Sequence, residues 1–70
     1  MNHELIKLIR INMRLNQHKF SELIGVHRSD LANIEAGYRA PSDKFITKIY
    51  EHVDVDFIEK VNALYEWRKS

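Results

Sequence analysis

The sequence predicts an all-α fold, a compact bundle of about five short helices in a single domain spanning residues 1–70. Apolar residues recur at helical spacing through most of the chain. Two glycines and one proline, Gly25, Gly37 and Pro41, break that pattern where helices must end. Sustained strand alternation is missing; "VDVDF" is the one short candidate, and it is too brief to pair by itself.

The first helix is expected from about His3 to Met13, with Ile6 and Ile9 toward the core and Leu5, Leu8 and Ile11 as a second apolar side. "LNQHKFSELIG" offers Asn16 as N-cap, an apolar set at Phe20, Leu23 and Ile24, and Gly25 as stop. The third helix falls in "HRSDLANIEAGYRAPS", where Leu31 and Ile34 are apolar and most other side chains are small or polar. A fourth follows Pro41, with Ser42 as cap, Asp43 in the first turn and Phe45, Ile46 and Ile49 as its buried stripe. The fifth is expected over about 57–69, with Asp56 as cap and Glu59 completing a capping box. Its stripe is Phe57, Ile58, Val61, Leu64 and Tyr65, with Trp67 near the end.

Seventy residues, 44% of them apolar, make one small domain. A chain of this size buries only about 60% of its unfolded surface, so its stability is marginal. Without cysteine it has neither disulfides nor thiolate metal ligands. No apolar run approaches the roughly 20 residues that span a bilayer, and the N-terminus shows no signal-peptide pattern. A cytoplasmic location with no membrane contact is therefore expected. Net charge is +1, from 11 Lys and Arg against 10 Asp and Glu. Any attraction to nucleic acid must come from where those charges sit.

Two short helices separated by Gly25-Val26-His27 must turn sharply, with Gly25 free to take positive φ and Val26 plugging the corner. That is the helix-turn-helix layout, here over about residues 16–36, whose second helix can lie in the major groove. The stretch "LNQHKFSELIGVHRSDLANIEAGYRAPS" resembles the lambda-repressor-like helix-turn-helix domains, the Cro/C1-type or XRE family. The features in register are Leu15-Asn16-Gln17, Gly25-Val26, Ile34-Glu35, Gly37, Arg39 and Pro41. The resemblance covers about residues 4–57. It implies an ion pair between Arg10 of the first helix and Glu35 of the third, where a forked guanidinium binds a carboxylate.

At about 100° per residue, Arg28, Ser29, Ala32, Asn33 and Ala36 share an arc of roughly 140° opposite Leu31 and Ile34. Arg28 can donate twice to guanine, Asn33 can pair bidentately with adenine, Ser29 can bond either way, and Ala32 can touch a thymine methyl. The resemblance implies that Arg28, Ser29 and Asn33 read bases. Gln17, Tyr38, Arg39, His27 and Lys44 are candidates for the DNA backbone, and His18 and Arg14 are either weaker ones or idle surface charges. Several positions depart from the family pattern. His27 replaces a Ser or Thr cap, Ala36 stands where Asn is frequent, and Arg14 takes the place of a glycine that often ends the first helix. Asp30 suits the helix dipole but repels phosphate, unless it accepts from a cytosine N4.

Four histidines, His3, His18, His27 and His52, show no metal-ligand spacing. Asp54 and Asp56 fit a turn and cap better than an acid–base pair, and neither a phosphate-cradling loop nor a nucleophile elbow occurs. An enzyme is not expected, and neither a metal nor another cofactor is implied. Phe57, Val61, Leu64, Tyr65 and Trp67 form a candidate homodimer interface; the same stripe can instead fold back onto Leu5 and Leu8. The leading expectation is a sequence-specific DNA-binding transcriptional regulator, a prokaryotic or phage repressor or Cro-like switch, acting on double-stranded DNA. The alternative is a helix-turn-helix fold used as a protein-binding module, an antirepressor or antitoxin-like partner.

Overall fold

Asn2, Asn16 and Ser42 each precede a helix in extended backbone, and each side-chain oxygen accepts an N–H from the first turn. The donors are Leu5 at 2.9 Å, Lys19 at 2.8 Å and Phe45 at 3.1 Å. Such caps satisfy backbone donors that a helix start leaves open. The computed structural model describes residues 1–69, in which five helices follow in order: α1 (His3–Asn12), α2 (Gln17–Ile24), α3 (Arg28–Glu35), α4 (Asp43–His52) and α5 (Val55–Lys69). Among the described residues there is no strand, and the segment holding "VDVDF" belongs to the α4–α5 turn and the start of α5.

Three helices end in the same way. Arg14, Gly25 and Gly37 take left-handed backbone, with φ of 61°, 75° and 82°. Each lets the next residue's N–H reach back to a carbonyl five residues earlier: Leu15 to Arg10 at 3.3 Å, Val26 to Ser21 at 3.0 Å, Tyr38 to Asn33 at 3.0 Å. These are Schellman closures, which turn the chain while satisfying terminal carbonyls. At Gly25 and Gly37 the conformation meets no Cβ penalty. Arg14 makes the same turn with a side chain, and this is the strain that its place in the sequence implies.

α1 packs against α3 and α5, and α2 against α3 and α4. Between them Ile6, Ile9, Phe20, Ile24, Leu31, Ile34 and Ile49 are fully enclosed. Leu5, Phe45, Val53, Ile58, Val61 and Tyr65 extend this core, with Val26 packed at its edge. α5 folds back along α1, where the Asn2 amide that caps α1 also donates Nδ2 to the Tyr65 hydroxyl at 2.9 Å.

Four sequence expectations are corrected. Leu23 is exposed, because Ser21 takes the buried position beside Phe20 and Ile24 and satisfies its hydroxyl on the His18 carbonyl at 2.8 Å. Ile11 is exposed as well, and Ile46 is only half-buried. The cap of α5 is Asp54, not Asp56: Asp54 Oδ1 accepts the Asp56 N–H at 2.9 Å, and α5 begins at Val55. Asp56 sits in the first turn, where its charge favours the helix dipole.

Replacing Arg14 by glycine removes the Cβ cost of left-handed backbone, partly offset by greater freedom of the unfolded chain. R14G is expected to stabilise the fold by about 0.5–1 kcal/mol, raising Tm by a few degrees in a thermal melt followed by circular dichroism. A lower Tm would mean that the exposed Arg14 side chain makes a stabilising contact.

Candidate nucleic-acid interface

α3 holds few apolar residues, so its position depends on how its inner side is fastened. Leu31 and Ile34 are fully buried, and Glu35 is buried beside them. The Glu35 carboxylate meets Arg10 of α1 in a two-pronged contact, Nε to Oε2 at 2.8 Å and Nη2 to Oε1 at 2.9 Å. Only 12% of the Arg10 side chain and 3% of that of Glu35 face solvent. Arg10 also donates Nη1 to the Leu15 carbonyl at 3.0 Å, and Gln17 donates Nε2 to Glu35 Oε1 at 3.1 Å. Thus α1, the turn after it, the start of α2 and the end of α3 meet on one carboxylate–guanidinium pair. The expected Arg10–Glu35 pairing is present, and it recruits Gln17.

The outer side of α3 is the arc the sequence singled out. Arg28, Ser29, Asn33 and Ala36 are exposed and Ala32 is half-buried. The spread of donors and acceptors from Arg28 through Ser29 to Asn33 matches what base edges in a major groove require. His27 precedes α3 with extended backbone and makes no side-chain cap bond, so its exposed imidazole is free of the capping task that a Ser or Thr would perform there. Tyr38 is 85% exposed in the loop after α3, and Lys44 is exposed in the first turn of α4.

Two candidate backbone contacts are already engaged. Gln17 has one amide hydrogen on Glu35, so its side chain belongs to the internal clamp in the free protein. Arg39 Nη1 donates to Asp30 Oδ1 at 3.1 Å, a pair that the sequence reading did not find. Residue spacing gives no hint of it, because the Schellman turn at Gly37 is what brings residue 39 back beside residue 30. His18 lies 3.6 Å from Glu22, one turn along α2, on an exposed surface.

The candidate dimer residues separate. Val61 and Tyr65 are core residues, and Phe57 is half-buried against the core. Leu64 and Trp67 are 59% and 77% exposed. A groove of about 370 Å³ between α1 and α5 is lined by Glu4, Lys7, Leu8, Ile11, Tyr65 and Arg68. Among the described residues no group of three or more His, Cys, Asp or Glu is placed to hold a metal, and no helix is long and apolar enough to cross a membrane.

A family model described as helix-turn-helix matches residues 6–60, which is most of the chain. The protein belongs to that family, the Cro/C1-type or XRE helix-turn-helix domains. This is a family of DNA-binding regulatory domains, and the five-helix bundle agrees with it. No curated protein and no solved structure matches the chain.

Removing one partner of a buried ion pair typically costs about 3–5 kcal/mol, because the other charge is left without compensation. A domain of this size has only about 0.05–0.15 kcal/mol per residue of total stability. R10A is therefore expected to unfold most of the population, or lower Tm by well over 10 °C, in urea and thermal melts. The double replacement R10M/E35L, which removes both charges, should recover much of that loss. A Tm for R10A within a few degrees of the unmodified chain would show that the pair does not secure α3.

Proposed function

We propose that this chain is a sequence-specific transcriptional regulator that occupies an operator by placing α3 in the major groove, as a repressor or Cro-like switch of prokaryotic or phage type. The observation that carries this reading is the division of α3. Leu31, Ile34 and Glu35 are held inside, while Arg28, Ser29 and Asn33 stand outward on one arc. Arg28 reads guanine and Asn33 adenine, with Ser29 and Ala32 completing the base contacts. His27, Tyr38, Lys44 and Arg39 face the flanking phosphates, and Gln17 reaches one through the part of its amide not used on Glu35. The Arg39 contact to Asp30 weakens the one objection that this arc raises, an uncompensated carboxylate beside phosphate. Binding needs no cofactor, and the site of action is the cytoplasm.

A homodimer fits the same reading, since paired half-sites lie about 34–36 Å apart along the duplex. Leu64 and Trp67 on α5 supply the exposed surface, together with the exposed Ile11 of α1 and the half-buried Phe57. Those apolar residues are also what a protein-binding module would use, so partner capture is the second reading.

R28A and N33A are each expected to lower affinity for a preferred duplex by about 1–3 kcal/mol and to relax the preference at one base position, measured by fluorescence anisotropy on single-base variants. Unchanged discrimination in folded R28A overturns the base-reading assignment. Stoichiometric binding to a protein with no affinity for duplex DNA at any salt favours the second reading. For the dimer, L64D is expected to shift the chain toward monomer in sedimentation equilibrium and to weaken binding to a paired site more than to a single half-site. A chain that is monomeric at high concentration, with and without DNA, counts against the interface.

A further inference from the structure

Asp30 lies in the first turn of α3, three residues before Asn33, and therefore borders the outward arc instead of the core. Among the described residues its carboxylate meets Arg39, at a single 3.1 Å contact. Both side chains remain open to solvent, 37% for Asp30 and 57% for Arg39, so the pair is weak enough to be exchanged for a phosphate. The chain carries a net charge of only +1, so the freedom of each cation near the interface weighs heavily in its attraction to DNA.

Sequence-independent binding comes from cations that bond whatever phosphate they reach. An unrestrained arginine in the loop after α3 is such a cation. While it is paired with Asp30, an arginine is different: its remaining N–H donors meet a phosphate only when α3 brings that phosphate to the outer side of the pair. On arbitrary duplex, Arg39 must either leave Asp30, exposing a carboxylate to the backbone, or forgo its contact. Repulsive elements of this kind raise specificity by penalising the wrong partner.

We propose that Asp30 is a specificity-determining residue, which restrains Arg39 and places a negative charge at the rim of the reading face, so that arbitrary DNA is rejected. This inference rests on the DNA-binding reading above. Asp30 acts through Arg39 and through charge, so its removal strengthens non-specific binding, the opposite of what loss of a base contact does.

The test compares the unmodified chain, D30N, R39A and D30N/R39A on two duplexes, one selected from random sequence by the unmodified chain and one of random sequence and equal length. Binding is followed by anisotropy between 50 and 200 mM salt, with circular dichroism melts to verify folding and Asp30→Ala as the substitute if D30N does not fold. In D30N, affinity for random duplex is expected to rise on the order of tenfold, with the logarithmic salt slope steeper by about one. Affinity for the selected duplex should change by less than about threefold, so discrimination falls. Adding R39A should remove the part of the gain that comes from freeing Arg39, leaving the part that comes from the lost negative charge. The proposal is overturned if D30N changes both affinities by the same factor, or leaves random-duplex affinity and slope unchanged. Binding to a selected duplex with an unaltered ratio in D30N removes this inference alone; an unmodified chain that binds neither duplex removes the DNA-binding reading and this inference together.

Discussion

The contact between Arg10 and Glu35 is the constraint on which the presentation of α3 depends. Both prongs of the guanidinium meet the carboxylate at 2.8–2.9 Å, almost out of reach of water. Each additional bond answers a particular need. The Leu15 carbonyl satisfies a third donor of Arg10, and Gln17 satisfies Glu35 a second time on Oε1. No buried side-chain polar atom among the described residues is left without a partner. A satisfied buried network of this kind specifies one arrangement of its elements, whereas a partly satisfied one destabilises.

The clamp matters because α3 is a poor core helix. It offers the interior two large apolar side chains, Leu31 and Ile34, on eight residues. A helix anchored only by those could rotate about its axis at small cost. Glu35, at the far end from the cap, removes that freedom by tying the last turn to α1. The geometry of the outward face of α3 is therefore set by a charge pair behind it. Consequently the outward positions can carry Arg28, Ser29 and Asn33 without contributing to folding. The same division explains why His27 can stand at the cap without a side-chain bond: the helix start is secured by Ile24 and Leu31 in the core with Val26 at its edge, and Gly25 sets its direction.

Much of this is legible in the amino-acid sequence because it depends on local chemistry. Asn16 and Ser42 announce caps, Gly25 and Gly37 announce left-handed turns, and the spacing of Ile6 with Ile9 and of Leu31 with Ile34 announces buried faces. Arg10 and Glu35 are legible only through family resemblance, since 25 residues separate them and nothing local links them. Where two local signals compete, local chemistry does not decide. Asp54 and Asp56 are both good caps, and Asp54 is the one whose carboxylate accepts a first-turn N–H, despite the Glu59 that favours Asp56. Leu23 illustrates a second limit: helical spacing allows it inside, yet the buried position is taken by Ser21. The Asp30–Arg39 pair and the tie from Asn2 to Tyr65 depend on how chain ends fold back in three dimensions, which no window of sequence contains.

The central claim is that a helix locked from behind by Arg10 and Glu35 reads base edges with Arg28, Ser29 and Asn33. Selection of bound duplexes from a random-sequence pool tests it most directly. The arrangement predicts enrichment of a short motif with a required guanine and a required adenine within a few base pairs, set by the spacing of Arg28 and Asn33 on α3. A pool that stays random after repeated rounds, or an enriched motif lacking those two bases, would contradict it.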